Sequence, residues 1–151
     1  MKKISLVLVL VMLFFVTGCG SKTKEVKSLN DFYNVTVEKG LIASDNMGSY
    51  NADYIKEAMI ANKDDLAIEM ISYDTSDSAT AVQDSNIEAF MTRKSTNAII
   101  KKLKGENYYK YTMVTNGYYL VSSRVDNTLI LVNTPVKNKD LVDSVLDSMG
   151  Y

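Results

Sequence analysis

Residues 108–125, YYKYTMVTNGYYLVSSRV, decide the fold, because they contain the clearest turn signal in the chain. Asn116 and Gly117 are the pair preferred for a two-residue type I′ turn, in which both positions need positive φ. The runs on either side are rich in Tyr, Val and Thr, which favour strands. The sequence therefore predicts an antiparallel hairpin in which residues 108–115 pair with residues 118–125.

The chain that follows this hairpin predicts one more strand. Asp126 and Asn127 supply a second tight turn into a strand over residues 128–133, which completes a three-stranded meander. Pro135 is expected to end the sheet, because proline has no backbone N–H to donate to the strand ladder.

A closing helix is expected from Lys139 onward, where the apolar residues return to helical spacing. Gly150 is placed to be its left-handed C-cap, a conformation that glycine adopts without strain. Tyr151 can then fold back onto Leu146.

The N-terminal half begins with a predicted helix. Ser28 and Asp31 have the spacing of a capping box, and apolar residues follow at helical intervals, so a helix is expected over residues 29–39. The β-branched residues near its end leave a strand as the alternative. Residues 41–53 mix Ser, Asp, Asn and Gly and are expected to be mostly loop.

The next segments predict a second hairpin and a second helix. Residues 54–61 and 66–73 are strand-like runs separated by a polar turn. Helix caps follow, and an apolar stripe predicts a helix that ends near Thr92, with further helical turns over residues 98–103. The predicted fold is therefore α+β, with the order α-ββ-α-βββ-α. It has an antiparallel sheet of about five strands, a hairpin plus a three-stranded meander, and about three packed helices.

Composition excludes several functions. The 151 residues include 17 Lys+Arg against 18 Asp+Glu, so the net charge of -1 gives no basic field, and no nucleic-acid partner is expected. With one Cys and no His, neither a disulfide, a structural zinc site nor a His-based triad can be built. The carboxylates, serines and lysines show no spacing that marks another site, so no metal, cofactor or catalytic residue is predicted.

The N-terminus has the pattern of an export signal. Lys2 and Lys3 precede an apolar run over residues 4–16, which is interrupted only by Ser5. This run is shorter than the roughly 20 residues that a membrane-spanning helix needs.

Val16, Thr17, Gly18 and Cys19 follow, and Cys19 is the only cysteine of the chain. This motif resembles the lipobox of bacterial lipoproteins, in which the cysteine is linked to diacylglycerol and becomes the first residue after cleavage. The resemblance implies that residues 16–18 are read by the processing enzyme and that Cys19 carries the lipid. It implies a lipid-anchored protein on the extracytoplasmic face of the cell membrane. A buried free thiol at the end of a retained anchor is the alternative.

The expected domain organisation follows from this motif: a signal peptide over residues 1–18, the lipidated cysteine and a linker over 19–27, and a single globular domain over 28–151. Lysines at positions 22, 24 and 27 lie in the linker. They could contact anionic lipid headgroups, or they could simply be part of a solvated spacer.

A candidate binding face lies on the hairpin of residues 108–125, where five of the ten tyrosines are concentrated. Tyr109, Tyr111, Tyr118 and Arg124 should share one side of the sheet. An open tyrosine face could bind glycans or a partner protein through stacking and hydroxyl contacts. The alternative is that the tyrosines are ordinary half-buried strand residues, with Arg124 in an ion pair or cation–π contact inside the fold.

The last third of the chain carries a second resemblance. The residues concerned are Asn107, Tyr108, Lys110, Tyr111, 124–129, Gly150 and Tyr151. Their pattern is similar to that of small uncharacterised lipoproteins of Gram-positive bacteria, and this implies no known activity.

Together these features predict a membrane-anchored, extracytoplasmic, non-catalytic binding or interaction module, whose partner is an envelope protein or a glycan. An accessory subunit of an envelope complex is the alternative. A third hypothesis is an enzyme that acts on cell-wall glycan through two carboxylates, since such a pair is defined by its distance in space.

Overall fold

A seven-stranded antiparallel sheet organises the protein in the computed structural model, which describes residues 23–151. Three helices pack on this sheet: α1 (Leu29–Glu38), α2 (Ser76–Thr92) and α3 (Lys139–Met149). The strands are β1 (Ile42–Asp45), β2 (Ile55–Lys63), β3 (Leu66–Tyr73), β4 (Ile99–Lys104), β5 (Tyr108–Thr115), β6 (Tyr118–Val125) and β7 (Thr128–Pro135). In space the strand order is β1-β2-β3-β7-β6-β5-β4, so β1 and β4 are the two edges.

The helices divide the core into layers on the two faces of the sheet. On one face α1 and α3 contribute Phe32 and Leu146 to a cluster with Met70 and Ile130 from the central strands. On the other face α2 packs through Ala79 and, further along, Phe90. The two faces are called the α1/α3 face and the α2 face below.

The predicted hairpin is confirmed in its register. Thr115 lies opposite Tyr118, and every residue of β5 has a partner in β6. Asn116 and Gly117 have φ values of 50° and 79°, as a type I′ turn requires. The meander with β7 is also present, because β6 pairs with β7 along its whole length.

The predicted helix ends are confirmed by their hydrogen bonds. The Ser28 amide donates to the Asp31 carboxylate at 2.9 Å, and the Asp31 amide donates to the Ser28 hydroxyl at 3.1 Å. At the other end of the chain Gly150 has a φ of 76°, and the Tyr151 amide donates to the Leu146 carbonyl oxygen at 2.9 Å. Tyr151 is consequently buried beside α3.

The predicted five-strand sheet is wrong, because the sheet has seven strands and the element order is α-βββ-α-ββββ-α. Both additional strands are edges. Strand β1 lies in the segment expected to be loop, and it is held by pairing of Ile42 with Asn62 and of Asp45 with Met59. Four mostly exposed residues show no apolar alternation, so only the ladder to β2 identifies them as a strand.

Strand β4 replaces the helical turns expected over residues 98–103. Ile99, Ile100 and Leu103 have helical spacing, but they pair with β5, with Ile99 opposite Val114. Most of β4 is exposed, and only Ile100 is half-buried against the α2 face, so its apolar residues do not alternate regularly with polar ones. Tertiary pairing therefore overrides the local pattern.

The signal segment and the lipobox, residues 16–19, lie outside the described residues. Between residues 23 and 151, none of the helices combines the length and apolar character that crossing a bilayer requires.

Candidate functional site

A groove lies at the β4 end of the α1/α3 face, between the outer strands and α3. Its volume is about 670 Å³. The floor consists of side chains from β4 and β5 that point to one side: Ile99, Lys101, Leu103, Lys110, Thr112 and Val114. The opposite wall is formed by Tyr119, Val136, Lys139, Asp143 and Asp147. This volume lies in the range of small-molecule sites in proteins.

The groove exposes apolar surface to solvent. Ile99 is 60 %, Leu103 52 % and Val136 40 % exposed. The register explains why the β4 pair lies together, since Ile99 and Leu103 are four residues apart on one strand and therefore share a face. An apolar floor with a few polar groups around it is typical of a ligand-binding surface.

The α3 wall contains a hydrogen-bonded charge network. The Tyr119 hydroxyl donates to one oxygen of Asp143 at 2.7 Å, and the Lys139 ammonium donates to the other oxygen. The same ammonium lies 5.2 Å from the centre of the Tyr119 ring, in a cation–π contact. Burial disfavours ionised Asp143, but the hydrogen bonds from Lys139 and Tyr119 outweigh burial and hold its pKa below the ordinary value.

Lys110 places a second ammonium at the inner end of the groove. Its Nζ donates to the main-chain oxygen of Tyr151 at 3.1 Å. Burial lowers the pKa of Lys110, and the nearby carboxylates of Asp143 and Asp147 oppose this change. The floor of the groove therefore contains two ammonium groups, those of Lys101 and Lys110, among its apolar side chains, while the acidic groups of the groove lie on the helix wall.

The candidate binding face predicted from the sequence lies on the other side of the sheet, under α2. Tyr111 is buried there, with its ring centre 6.4 Å from that of Phe90 and its hydroxyl 3.2 Å from the Met91 sulfur. Tyr118 at the strand end is exposed, and the Arg93 guanidinium lies 5.3 Å from its ring centre. Most of this face is thus helix-covered core.

Arg124 and Tyr109 take part in a partly buried polar contact with α2. The Arg124 Nε donates to the Gln83 side-chain oxygen at 3.2 Å, and its Nη1 donates to the Asp126 carbonyl oxygen at 3.1 Å. The Gln83 amide nitrogen in turn donates to the carbonyl oxygens of Tyr109 and Ser122, at 2.7 and 3.1 Å. These bonds hold α2 on the sheet, and they give the Arg124 side chain a structural role.

Sequence reasoning missed the groove because it assigned β4 to a helix. No regular alternation marks this strand; the available signal was only that Ile99 and Leu103, four positions apart, would share one strand face with Lys101 between them. Within residues 23–151, no group of three or more acidic or thiol side chains is arranged to hold a metal ion.

Comparison with known proteins identifies no family for this chain. No family model matches it, and no curated protein matches it. A crystal structure described as a GTP binding regulator from Thermotoga maritima is similar, with 17% sequence identity over 84% of this chain and 90% of that chain and a TM-score of 0.49. This distant similarity names no ligand for the groove.

Proposed function

We propose that this chain is a membrane-anchored, extracytoplasmic lipoprotein whose folded part is a non-catalytic binding module. In this proposal Cys19 carries the lipid and the groove beside β4 takes the ligand. The groove is the observation that supports binding, because it is a cavity of about 670 Å³ with exposed apolar side chains on its floor.

The charge network on α3 favours binding over catalysis. A general acid or base works best with a pKa near the working pH. The hydrogen bonds from Tyr119 and Lys139 instead hold the pKa of Asp143 below its ordinary value, so at neutral pH this carboxylate is a weak base and has no proton to donate. Such a carboxylate orients its neighbours and stays ionised, which suits a fixed recognition surface.

The anchor is supported by the lipobox and by the first described residues. Lys24 is joined to the turn after β4 by two hydrogen bonds, in which its amide donates to Asn107 and its carbonyl oxygen accepts from the Asn107 amide, each at 2.8 Å. Cys19 precedes Lys24 by only five residues. The folded part would therefore be held close to its lipid.

Replacement of the cysteine tests the anchor. We expect Cys19→Ser to yield an unprocessed precursor that incorporates no labelled palmitate, whereas the Ser21→Ala control is processed and labelled like the parent. Mass spectrometry of the purified proteins gives the mass of the lipid on Cys19. Equal palmitate labelling of Cys19→Ser and the parent would refute the anchor.

Site-specific photocrosslinking in intact cells tests the groove. A benzoylphenylalanine is placed at Val136 in the groove, or at Val37 on the outer side of α1, which is similarly exposed at 45 % against 40 %. Binding in the groove predicts adducts from position 136 that are absent from position 37. Adducts at neither position, or the same adducts at both, would contradict a binding role for the groove.

A further inference from the structure

The outer rim of the groove is strand β4, and its composition fits a lipid surface. Lys101, Lys102 and Lys104 are exposed, as are the apolar side chains of Ile99 and Leu103. The strand contains no carboxylate. Ammonium groups beside exposed apolar side chains match a phospholipid interface, because the charges contact phosphates while the apolar groups enter the headgroup region. These five residues are called the β4 rim.

The described chain begins next to the β4 rim. Asn107, which binds the main chain of Lys24, lies in the turn that directly follows Lys104. The Lys24 ammonium also lies 4.8 Å from the centre of the Tyr108 ring, so this segment is fixed to the start of β5. Five residues span at most about 18 Å. The Cys19 sulfur can therefore lie no farther from the turn than about 18 Å plus the length of a side chain.

The opposite edge of the sheet has neither property. Strand β1, with the sequence IASD, carries one carboxylate and no cation. It lies six strand spacings from β4, which is about 29 Å across the sheet. The positive charge and the start of the described chain are therefore both found at the β4 edge.

We propose that the β4 rim docks on an anionic phospholipid surface, the same leaflet that holds the lipid on Cys19. The inference rests on the proposed anchor and adds an orientation to it: the β4 edge faces the lipid and the β1 edge faces away. The groove then opens at the membrane surface, with Lys101 and Leu103 at its entrance.

Edge lysines have a second common role, which is to prevent edge-to-edge pairing between sheets. The two roles separate under charge reversal. Glutamates at positions 101, 102 and 104 still keep a second sheet away, because like charges repel, but they are repelled by anionic lipid. A Lys→Glu triple variant therefore keeps the protein monomeric and abolishes docking only if the lysines bind the membrane.

Spin labels on the two edges measure the orientation. The lipidated protein is reconstituted in vesicles of phosphatidylcholine with or without phosphatidylglycerol, and one new cysteine is labelled, from Leu103→Cys or from Ile42→Cys as the control. Cys19 is blocked by its lipid, so each variant has a single reactive thiol. Power saturation compares collisions of the label with lipid-soluble oxygen and with an aqueous nickel chelate.

Docking predicts that the label at position 103 enters the interface in phosphatidylglycerol vesicles and returns to water at high salt, while the label at position 42 stays in water throughout. Each lysine near an anionic surface favours the docked state about fivefold, so neutralising all three should lower the docked-to-free ratio about a hundredfold, and the triple Glu variant should lower it further. A Lys→Gln triple variant gives an intermediate loss and guards against misfolding of the Glu variant.

The proposal is overturned if the label at position 103 is as aqueous as that at position 42, or if the Glu variant docks like the parent. Flotation of the vesicles separates this failure from failure of the anchor. Protein that floats with vesicles but keeps its β4 label in water refutes docking alone, whereas protein that carries no lipid and does not float refutes the anchor.

Discussion

The two edges of the sheet are built in the same way but present different surfaces. Strand β1 has four residues, and α1 packs beside it on the α1/α3 face. Strand β4 has six residues, three of them lysines, and borders an open groove. Both are strands because a neighbour supplies a hydrogen-bonding ladder. What each edge can bind depends instead on its side chains and on whether the N-terminal segment lies beside it.

The largest expected effect is a loss of stability on truncation of a buried residue, compared with truncation of residues on the two edges. Met113→Ala in β5 should lower the free energy of unfolding by about 2–5 kcal/mol, because Met113 is fully buried and its truncation leaves a cavity. Ile99→Ala and Ile42→Ala, on the two edges, should each change it by less than about 0.5 kcal/mol. Urea denaturation measures all three. A loss at Ile99 comparable with that at Met113 would make β4 a part of the core and not a surface strand.

A smaller effect is expected at the helix ends that flank the edges. Gly40, just before β1, and Gly150, at the end of α3, have φ values of 77° and 76°. An added Cβ meets only the Lys63 ammonium at 3.6 Å at the first site and nothing within 4 Å at the second, so only backbone strain should count. Gly40→Ala and Gly150→Ala should each cost about 1 kcal/mol in thermal unfolding. Clearly unequal losses would show that the two helix ends are constrained differently.

The smallest expected effect concerns the groove wall that faces β4. Hydrogen bonds from Lys139 and Tyr119 overcome the cost of burial and keep the pKa of Asp143 below 3.8. A lowered pKa means that this stabilisation is complete above pH 3.8 and is lost as pH falls through the folded-state value. Asp143→Asn should therefore cost less than about 1 kcal/mol at pH 7 and remove this part of the acid dependence.

A second variant checks the source of the Asp143 effect. Tyr119→Phe removes one of the two hydrogen-bond donors, so it should remove only part of the acid-linked stability. Urea midpoints of parent and variants between neutral pH and pH 3 provide the measurement. A parent whose acid dependence is unchanged by Asp143→Asn would show that other carboxylates account for it.

The predictability of each element follows the strength of its local signal. The turn at Asn116 and Gly117 needs positive φ at both positions, so two residues were enough to place the hairpin. The caps at Ser28 and Gly150 were recognisable for similar reasons, since their chemistry depends on neighbours only a few residues away. Such features depend on local chemistry and not on contacts with distant strands.

The edges and the groove depend on contacts that are distant in sequence. Ile99 becomes a strand residue because Val114 lies opposite it, fifteen positions later. The burial of Tyr111 depends on α2, whose Phe90 and Met91 lie about twenty positions earlier. A pattern of apolar residues indicates that a face is packed, but it does not indicate which of two apolar faces a helix covers.

Hydrogen exchange tests the difference between the edges most directly, because it needs no substitution and no label. Protein that carries the proposed lipid on Cys19 is compared in neutral detergent micelles and in vesicles that contain phosphatidylglycerol. We expect slower exchange of amides in β4 and in the turn at Asn107 on the vesicles, with β1 unchanged. Equal exchange in both media for β4, or equal protection of β1 and β4, would contradict an oriented attachment to the membrane.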